Sequence, residues 1–373
     1  MSDTILFCLG TRPEAIKLAP LVCATAQRRG RSACLLLDTG QHEPSVLDPL
    51  LAFFGLAVDI RLERPQGSTS LTALNARLLG AIGEVLEAHR PDVVVVQGDT
   101  ATALQGAMAA FLAGIPVAHV EAGLRSGNPY QPFPEEMNRT VIGRLARWHL
   151  APTESAAAAL RREQVPGDVH VTGNTIVDAV RLALPRLAAA PPVAGARRLL
   201  VTMHRRENWG GGVRRVAIAV RSALEASADL SCDWILHPNP QVASEVRRVL
   251  ADLPARQAER VQLLPPQPYD AMLALLRDSQ LLLTDSGGIQ EEAICLGVPI
   301  LVAREETERP EVLSSGWGRL VGTDNTRILD ELLSPGAWQR RALEGSHANP
   351  LGDGYASEAI LQILDAAGES EVG

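Results

Sequence analysis

Short apolar runs alternate along this chain with longer segments of helical period. "TILFCL" (4–9), "SACLLLD" (32–38), "DVVVVQ" (92–97), "IPVAHVE" (115–121), "WHLAP" (148–152) and "DVHVTG" (168–173) read as strands. Helical patterns fall between them at 13–29, 69–90, 101–113 and 135–146. The strand runs are apolar at nearly every position rather than at every second one. That is the signature of a sheet covered by helices on both faces, and the alternation predicts a doubly wound parallel α/β sheet.

The segment "LAAAPPVAGARR" (187–198) interrupts the rhythm with paired prolines and small residues, and reads as a linker. Beyond it the rhythm restarts with "RLLVTMH", "DWILH", "RVQLLP", "QLLLTD" and "VPILVA". Two Rossmann-like domains in tandem are predicted, residues 1–186 and 199–354. Ligands of such sheets sit beyond the carboxyl ends of the strands, so residues just after each apolar run are the candidates for chemistry.

Composition narrows the picture. The 373 residues suffice for two cores, and a 46% hydrophobic content is that of a soluble globular protein. The opening "MSDTILFCLG" reads as lacking a secretory leader. The most apolar stretch (101–118) is broken by Gln105, Gly114 and Pro116, which favours a buried helix and strand over a membrane span. Five scattered cysteines without ligand spacing predict a reducing, cytoplasmic setting, with neither disulfides nor structural zinc. A net charge of −8 argues against nucleic acid as a partner, and an anionic ligand would require a local basic pocket.

Several strand ends offer such chemistry. In "GTRPEAIK" (10–17), Pro13 suits a first helical turn, and Arg12 and Lys17 can both reach beyond the strand tip. They are either solvated cations at a helix start or a fork and a point charge for phosphate. Gln41 and His42 follow the second strand and equally suit a polar loop. Asp99 and Thr100 follow the valine strand and are expected to cap the next helix, although Asp99 is also placed for catalysis. Glu121 ends the next strand. A long loop then carries Arg125 and leads into Glu135, Glu136, Asn138 and Arg139, so that acids and an arginine converge, unless the glutamates merely face the helix dipole.

In the second half, His204, Arg205, Arg206 and Glu207 follow "LLVTM", and "ILHPNP" repeats a histidine at a strand end. "LLLTDSGGIQEEA" (281–293) places Ser286, Gly287 and Gly288 at a helix N-terminus, an anion site built from backbone N–H groups. Glu291 and Glu292 lie one turn further, suited to ribose hydroxyls or to the dipole alone. Neither domain carries GxGxxG after its first strand, and GxxxxGK[ST] is absent, which disfavours nicotinamide dinucleotides and ATP hydrolysis.

Taken in order, "GTRPEAIKLAP", "GDTATA", "HVEAGLRSGN", "PFPEEMNR", "HRREN", "TDSGGIQEEA", "TERPE", "LVGTD" and "NPLGDG" resemble the non-hydrolysing UDP-N-acetylglucosamine 2-epimerases over almost the whole chain. The resemblance implies a GT-B fold with an interdomain active site and a final helix (355–373) crossing back to the first domain. It implies a homodimer without metal or cofactor that interconverts UDP-GlcNAc and UDP-ManNAc for surface polysaccharide synthesis. Carried over by motif, Ser286, Gly287 and Gly288 hold the diphosphate and Glu292 the ribose, with Arg12 and His204 also on the UDP moiety and Arg205 and Arg309 among the substrate-binding residues. Lys17, Asp99, Glu121, Glu135 and Arg139 surround the sugar; Asp99, Glu121 and Glu135, with His204, form the catalytic set.

The chain departs from the family pattern at Glu43, Pro44 and Ser68, which bears on a second, activating UDP-GlcNAc site, and at Leu351 and Ala359, which bears on the sugar's substituents. The alternatives are a 2-epimerase of UDP-2,3-diacetamido uronic acids, a hydrolysing epimerase, a GT-B glycosyltransferase and a catalytically silent UDP-sugar sensor. The acidic set of the first domain favours an epimerase over a transferase, and a sensor would be expected to lack one of its three carboxylates.

Overall fold

The computed structural model describes residues 4–64, 70–188, 197–307, 309–338 and 349–370. Most of the predicted linker, together with Ser68, lies outside them. The chain forms two compact units, one of residues 1–183 and 351–373, the other of residues 184–350.

The first unit holds seven strands: β1 (Ile5–Leu9), β2 (Cys34–Asp38), β3 (Ile60–Arg61), β4 (Val93–Gln97), β5 (Val117–Val120), β6 (Trp148–Ala151) and β7 (Asp168–Val171). They form one sheet in the order β3-β2-β1-β4-β5-β6-β7, parallel throughout. The second unit repeats the pattern with β8 (Arg197–Thr202), β9 (Leu230–Ile235), β10 (Val261–Leu264), β11 (Leu281–Thr284), β12 (Ile300–Val302) and β13 (Gly318–Leu320), in the order β10-β9-β8-β11-β12-β13. Each unit is therefore Rossmann-like, with a topological switch beside its first strand: β1 lies between β2 and β4, and β8 between β9 and β11.

The apolar runs become strands because they are buried on both faces. Leu6, Cys8, Leu37, Val94 and Val96 share one core with Ile82 and Ile142 of flanking helices. Leu199, Val201, Trp234, Leu281 and Leu283 share another with Val216 and Val220. Burying each such side chain contributes roughly 1.5–3 kcal/mol. Among the described residues no helix is long and apolar enough to cross a membrane.

The last helix, Ala356–Ser370, packs in the first unit against the helices Arg12–Arg29 and Thr175–Ala183. The buried Asp178 carboxylate accepts the backbone N–H groups of Ala356 (3.2 Å) and Ser357 (2.8 Å), and so takes the place of an N-cap. Arg28 and Arg29 both pair with Asp365 on this helix.

Candidate functional site

In the first unit, the helix Arg12–Arg29 starts two residues after β1. Gly10 permits this turn because a Cβ there would collide with the hydroxyls of Thr39 and Thr102. The Arg12 backbone N–H donates to His42 Nδ1 (3.1 Å), while its guanidinium has no hydrogen-bond or ion-pair partner among the described residues. Burial, and then the Arg12 charge, hold the His42 imidazole below its ordinary pKa.

Lys17 lies one turn further. Its Nζ is 2.5 Å from Glu121 Oε2, which also accepts Gln97 Nε2 at 2.6 Å. Lys17 and Glu121 are 8% and 7% exposed, so the pair is largely removed from water. Glu121 directly follows β5 and has φ +63°, a left-handed conformation that costs a residue with a Cβ roughly 1–2 kcal/mol. The chain accepts this conformation at the residue whose carboxylate faces Lys17.

Asp99 follows β4, the neighbour of β5. The expected cap is corrected in part: Thr100 alone caps the helix Ala101–Leu112, accepting Ala103 N–H at 3.0 Å. The Asp99 carboxylate turns to Arg139, with Oδ2 2.5 Å from Nη2, and Asn138 Nδ2 donates to the Asp99 carbonyl (2.7 Å). Both partners come from the helix Glu135–Leu145. The buried Glu136 accepts the N–H groups of Ser126 and Gly127 at 3.0 Å and so anchors the preceding loop. Glu135 is half-buried, and its carboxylate has no partner among the described residues. Arg125 does not join this group: its Nε and Nη2 bind Glu163 at 2.7 and 2.9 Å.

Two buried groups behind these turns are absent from the candidate list. Glu14, fully buried, accepts Gly10 N–H (3.0 Å), Thr11 N–H (2.8 Å), Thr11 Oγ1–H (2.8 Å) and Thr100 Oγ1–H (2.5 Å). Burial outweighs these four bonds and pushes its carboxyl up to about 7. The sequence signal is Thr11-x-x-Glu14, a capping-box spacing. His119 is buried on β5, with Nε2 2.7 Å from the Gly98 carbonyl; burial pushes it down to about 3, so the ring is neutral and donates.

In the second unit, His204 and Arg205 follow β8, and the buried Asp285, directly after β11, holds them. Its carboxylate accepts His204 N–H (2.7 Å), Arg205 N–H (3.1 Å) and Asn208 Nδ2–H (2.8 Å). The exposed His204 ring lies 5.6 Å from that of His237, and Trp209 meets His237 edge-on at 5.3 Å. Asp285 is not among the residues the motifs single out, although an acid ending an apolar strand is the same signal that marks Glu121.

Ser286 precedes the helix Gly287–Cys295 and its side chain does not cap it. A Cβ added at Gly287 or Gly288 would meet nothing within 4 Å. The protein's own packing therefore does not demand glycine there; open space is left above N–H groups at the positive end of a helix, where an anion fits. Further along the helix, Glu291 and Glu292 are buried, at 2% and 8% exposure. Glu291 Oε1 accepts Arg309 Nε at 2.6 Å, so Arg309 is joined to this helix. At the departing positions, Glu43 precedes the helix Pro44–Phe53 and pairs with Arg64 (3.1 Å). Leu351 is buried in the first unit.

Comparison with known proteins adds an independent line. The family model for UDP-N-acetylglucosamine 2-epimerase matches residues 24–365. The UDP-N-acetylglucosamine 2-epimerase of Salmonella typhimurium is 40% identical over 375 residues, covering 96% of this chain and 98% of the relative. The structure of UDP-GlcNAc 2-epimerase from Neisseria meningitidis bound to UDP-GlcNAc is similar at a TM-score of 0.85 and 35% identity, covering 97% of this chain and 99% of that one. The Methanocaldococcus jannaschii UDP-GlcNAc 2-epimerase in complex with UDP-GlcNAc and UDP aligns at a TM-score of 0.77 and 32% identity, covering 98% and 100%.

Proposed function

Because the chain belongs to the UDP-N-acetylglucosamine 2-epimerase family, we propose that it interconverts UDP-GlcNAc and UDP-ManNAc without hydrolysis, by elimination and re-addition of UDP. Inverting C2 requires taking a proton from one face of a weakly acidic carbon and returning one to the other. The observation that supports this reading is a pair of carboxylates at the tips of adjacent strands, each beside its own cation: Glu121 with Lys17 after β5, and Asp99 with Arg139 after β4. Neighbouring strands lie about 4.8 Å apart, so two acid–base groups are presented within the span of one sugar ring.

In the forward direction, a carboxylate removes the C2 proton. The C2–H electrons form the C1–C2 double bond, and the C1–O bond breaks with its electrons leaving on UDP. The products are a 2-acetamidoglucal and UDP. Re-addition forms the C1–O bond again while C2 takes a proton from the opposite face. Asp99, Glu121 and Glu135 are assigned to proton transfer, each such group contributing roughly 10²–10⁴-fold. Lys17 and Arg139 orient their carboxylates. The second unit is assigned the departing UDP: the Ser286–Gly288 turn, His204, Arg205 and Arg309 neutralise the diphosphate, and Glu292 takes the ribose. The family reading carries with it a cytoplasmic homodimer that supplies surface polysaccharide precursors.

The test is proton and phosphorus NMR of the protein with UDP-GlcNAc in heavy water. UDP-ManNAc carrying deuterium at C2 is expected. Free UDP with ManNAc would replace this reading by hydrolysis, and UDP-ManNAc without deuterium would exclude deprotonation at C2.

A further inference from the structure

We propose that Glu14 is a positioning residue of the first unit, joining the turn that carries Arg12 and Lys17 to the turn that carries Asp99 and so fixing the distance between the two ion pairs. The inference rests on the proposed function, since it is those ion pairs that are assigned to proton transfer.

A glutamate at the third position of a helix ordinarily reaches back to one N–H group at the protein surface. Glu14 does more. One oxygen, Oε2, takes all three donors of its own turn: Gly10 N–H, Thr11 N–H and Thr11 Oγ1–H. The other, Oε1, accepts Thr100 Oγ1–H at 2.5 Å, 86 residues along the chain. The side chain is fully buried. Taking a carboxyl out of water is costly, and a local cap alone does not repay it; the link across the switch point between β1 and β4 gives the burial a purpose.

Thr100 is suited to transmit the restraint. Its hydroxyl donates to Glu14 and accepts from Ala103 N–H (3.0 Å), so its rotor is fixed in both senses. The preceding residue is Asp99, whose carboxylate meets Arg139. On the other side Glu14 stands between Arg12 and Lys17 on one helical turn, and Lys17 meets Glu121. The hydrogen-bond partners of Glu14 are Gly10, Thr11 and Thr100 and not the members of the two ion pairs, so it acts on the reaction only through them.

The experiment compares Glu14→Gln, Thr100→Val, the double variant and Thr100→Ser in steady-state epimerisation of UDP-GlcNAc, with native folding verified by circular dichroism. A displacement of about 1 Å costs on the order of 100-fold. Glu14→Gln and Thr100→Val should each lose about 100-fold in kcat with KM changed by less than about threefold, and the double variant should lose no more than the worse single one. Thr100→Ser, which keeps the hydroxyl, should stay within about threefold of wild type. Unchanged kcat in a folded Glu14→Gln variant, or losses that multiply in the double variant, would overturn the proposal.

Hydrogen exchange separates this from the function itself. If the wild type does not turn over UDP-GlcNAc, the epimerase reading fails and exchange still decides the role of Glu14. Faster exchange in Glu14→Gln at both residues 10–15 and 98–103 supports the bridge. Faster exchange confined to residues 10–15 reduces Glu14 to a helix cap.

Discussion

Removing one partner of the Lys17–Glu121 pair should damage stability and turnover, and removing both should restore only the first. The Nζ–Oε2 distance is 2.5 Å and both side chains are more than nine-tenths buried. At an effective dielectric of about 20, unit charges at that distance attract by about 7 kcal/mol before desolvation is subtracted. Desolvation offsets much of this, so the pair adds little net stability, but breaking a buried pair by removing one member costs about 3 to 5 kcal/mol. Lys17→Met takes the ammonium away from the Glu121 carboxylate, which keeps the Gln97 amide, and Glu121→Gln takes the carboxylate away from the Lys17 ammonium. Each single variant should therefore melt roughly 6–20 °C lower. The double variant should recover most of that loss while remaining inactive in the deuterium-exchange assay. UDP affinity, measured by titration calorimetry, should stay within about threefold of wild type in Glu121→Gln, because Glu121 is assigned to the sugar. Single variants that melt with the wild type, or a double variant that melts at the sum of the two losses, would refute the electrostatic reasoning. Turnover by a folded Glu121→Gln protein would remove Glu121 from the proton-transfer set.

Glu14 is raised to about 7 from 4.5, so between those values the folded chain keeps a proton that the unfolded chain has released. Its contribution to stability should fall as pH rises through that window, by on the order of 3 kcal/mol; urea titrations of wild type against Glu14→Gln should show the difference drifting that way, and a flat difference would contradict it. His119 works in the opposite sense: depressed to about 3, it binds no proton when folded while the unfolded chain gains one below 6.5. Stability should therefore be lost as pH falls from 6.5 towards 3, less steeply in His119→Asn, as followed by the same titrations. Gly288→Ala should leave the melting temperature unchanged or slightly raised, since its Cβ meets nothing, yet weaken UDP binding by about tenfold or more in calorimetry.

Much of the fold is readable because its strands are buried on both faces, and a run such as Val93–Gln97 has no other comfortable environment. β3 and β13, two and three residues long, carry too little pattern to be seen, and the helix Pro44–Phe53 follows a polar turn that reads as loop. Strand ends point to the candidate residues, since a charged side chain directly after an apolar run stands at the sheet's edge. Partnerships are less legible. Asp99 reads as a cap until Arg139 arrives from 40 residues away, and Arg125 reads as converging until Glu163 takes it. Glu14 looks like a surface cap because nothing local announces Thr100. Pairings over such separations are decided by the order of strands, which the local pattern does not encode.

The first unit is made from two stretches of chain that flank the second, whereas the second is one uninterrupted stretch, residues 184–350. On the ribosome, the later unit thus has all its residues before the earlier one is complete, although domains generally fold as they are made. Until Ala356 and Ser357 emerge, the Asp178 carboxylate lacks two of its donors, and the helices Arg12–Arg29 and Thr175–Ala183 lack the helix that packs against them both. A nascent chain stalled near residue 350 would display that uncovered face to chaperones and proteases. Translation of the helix Ala356–Ser370 is therefore the step that seals the unit bearing Lys17, Asp99 and Glu121, and it makes maturation of that chemistry wait for the second unit to be synthesised first.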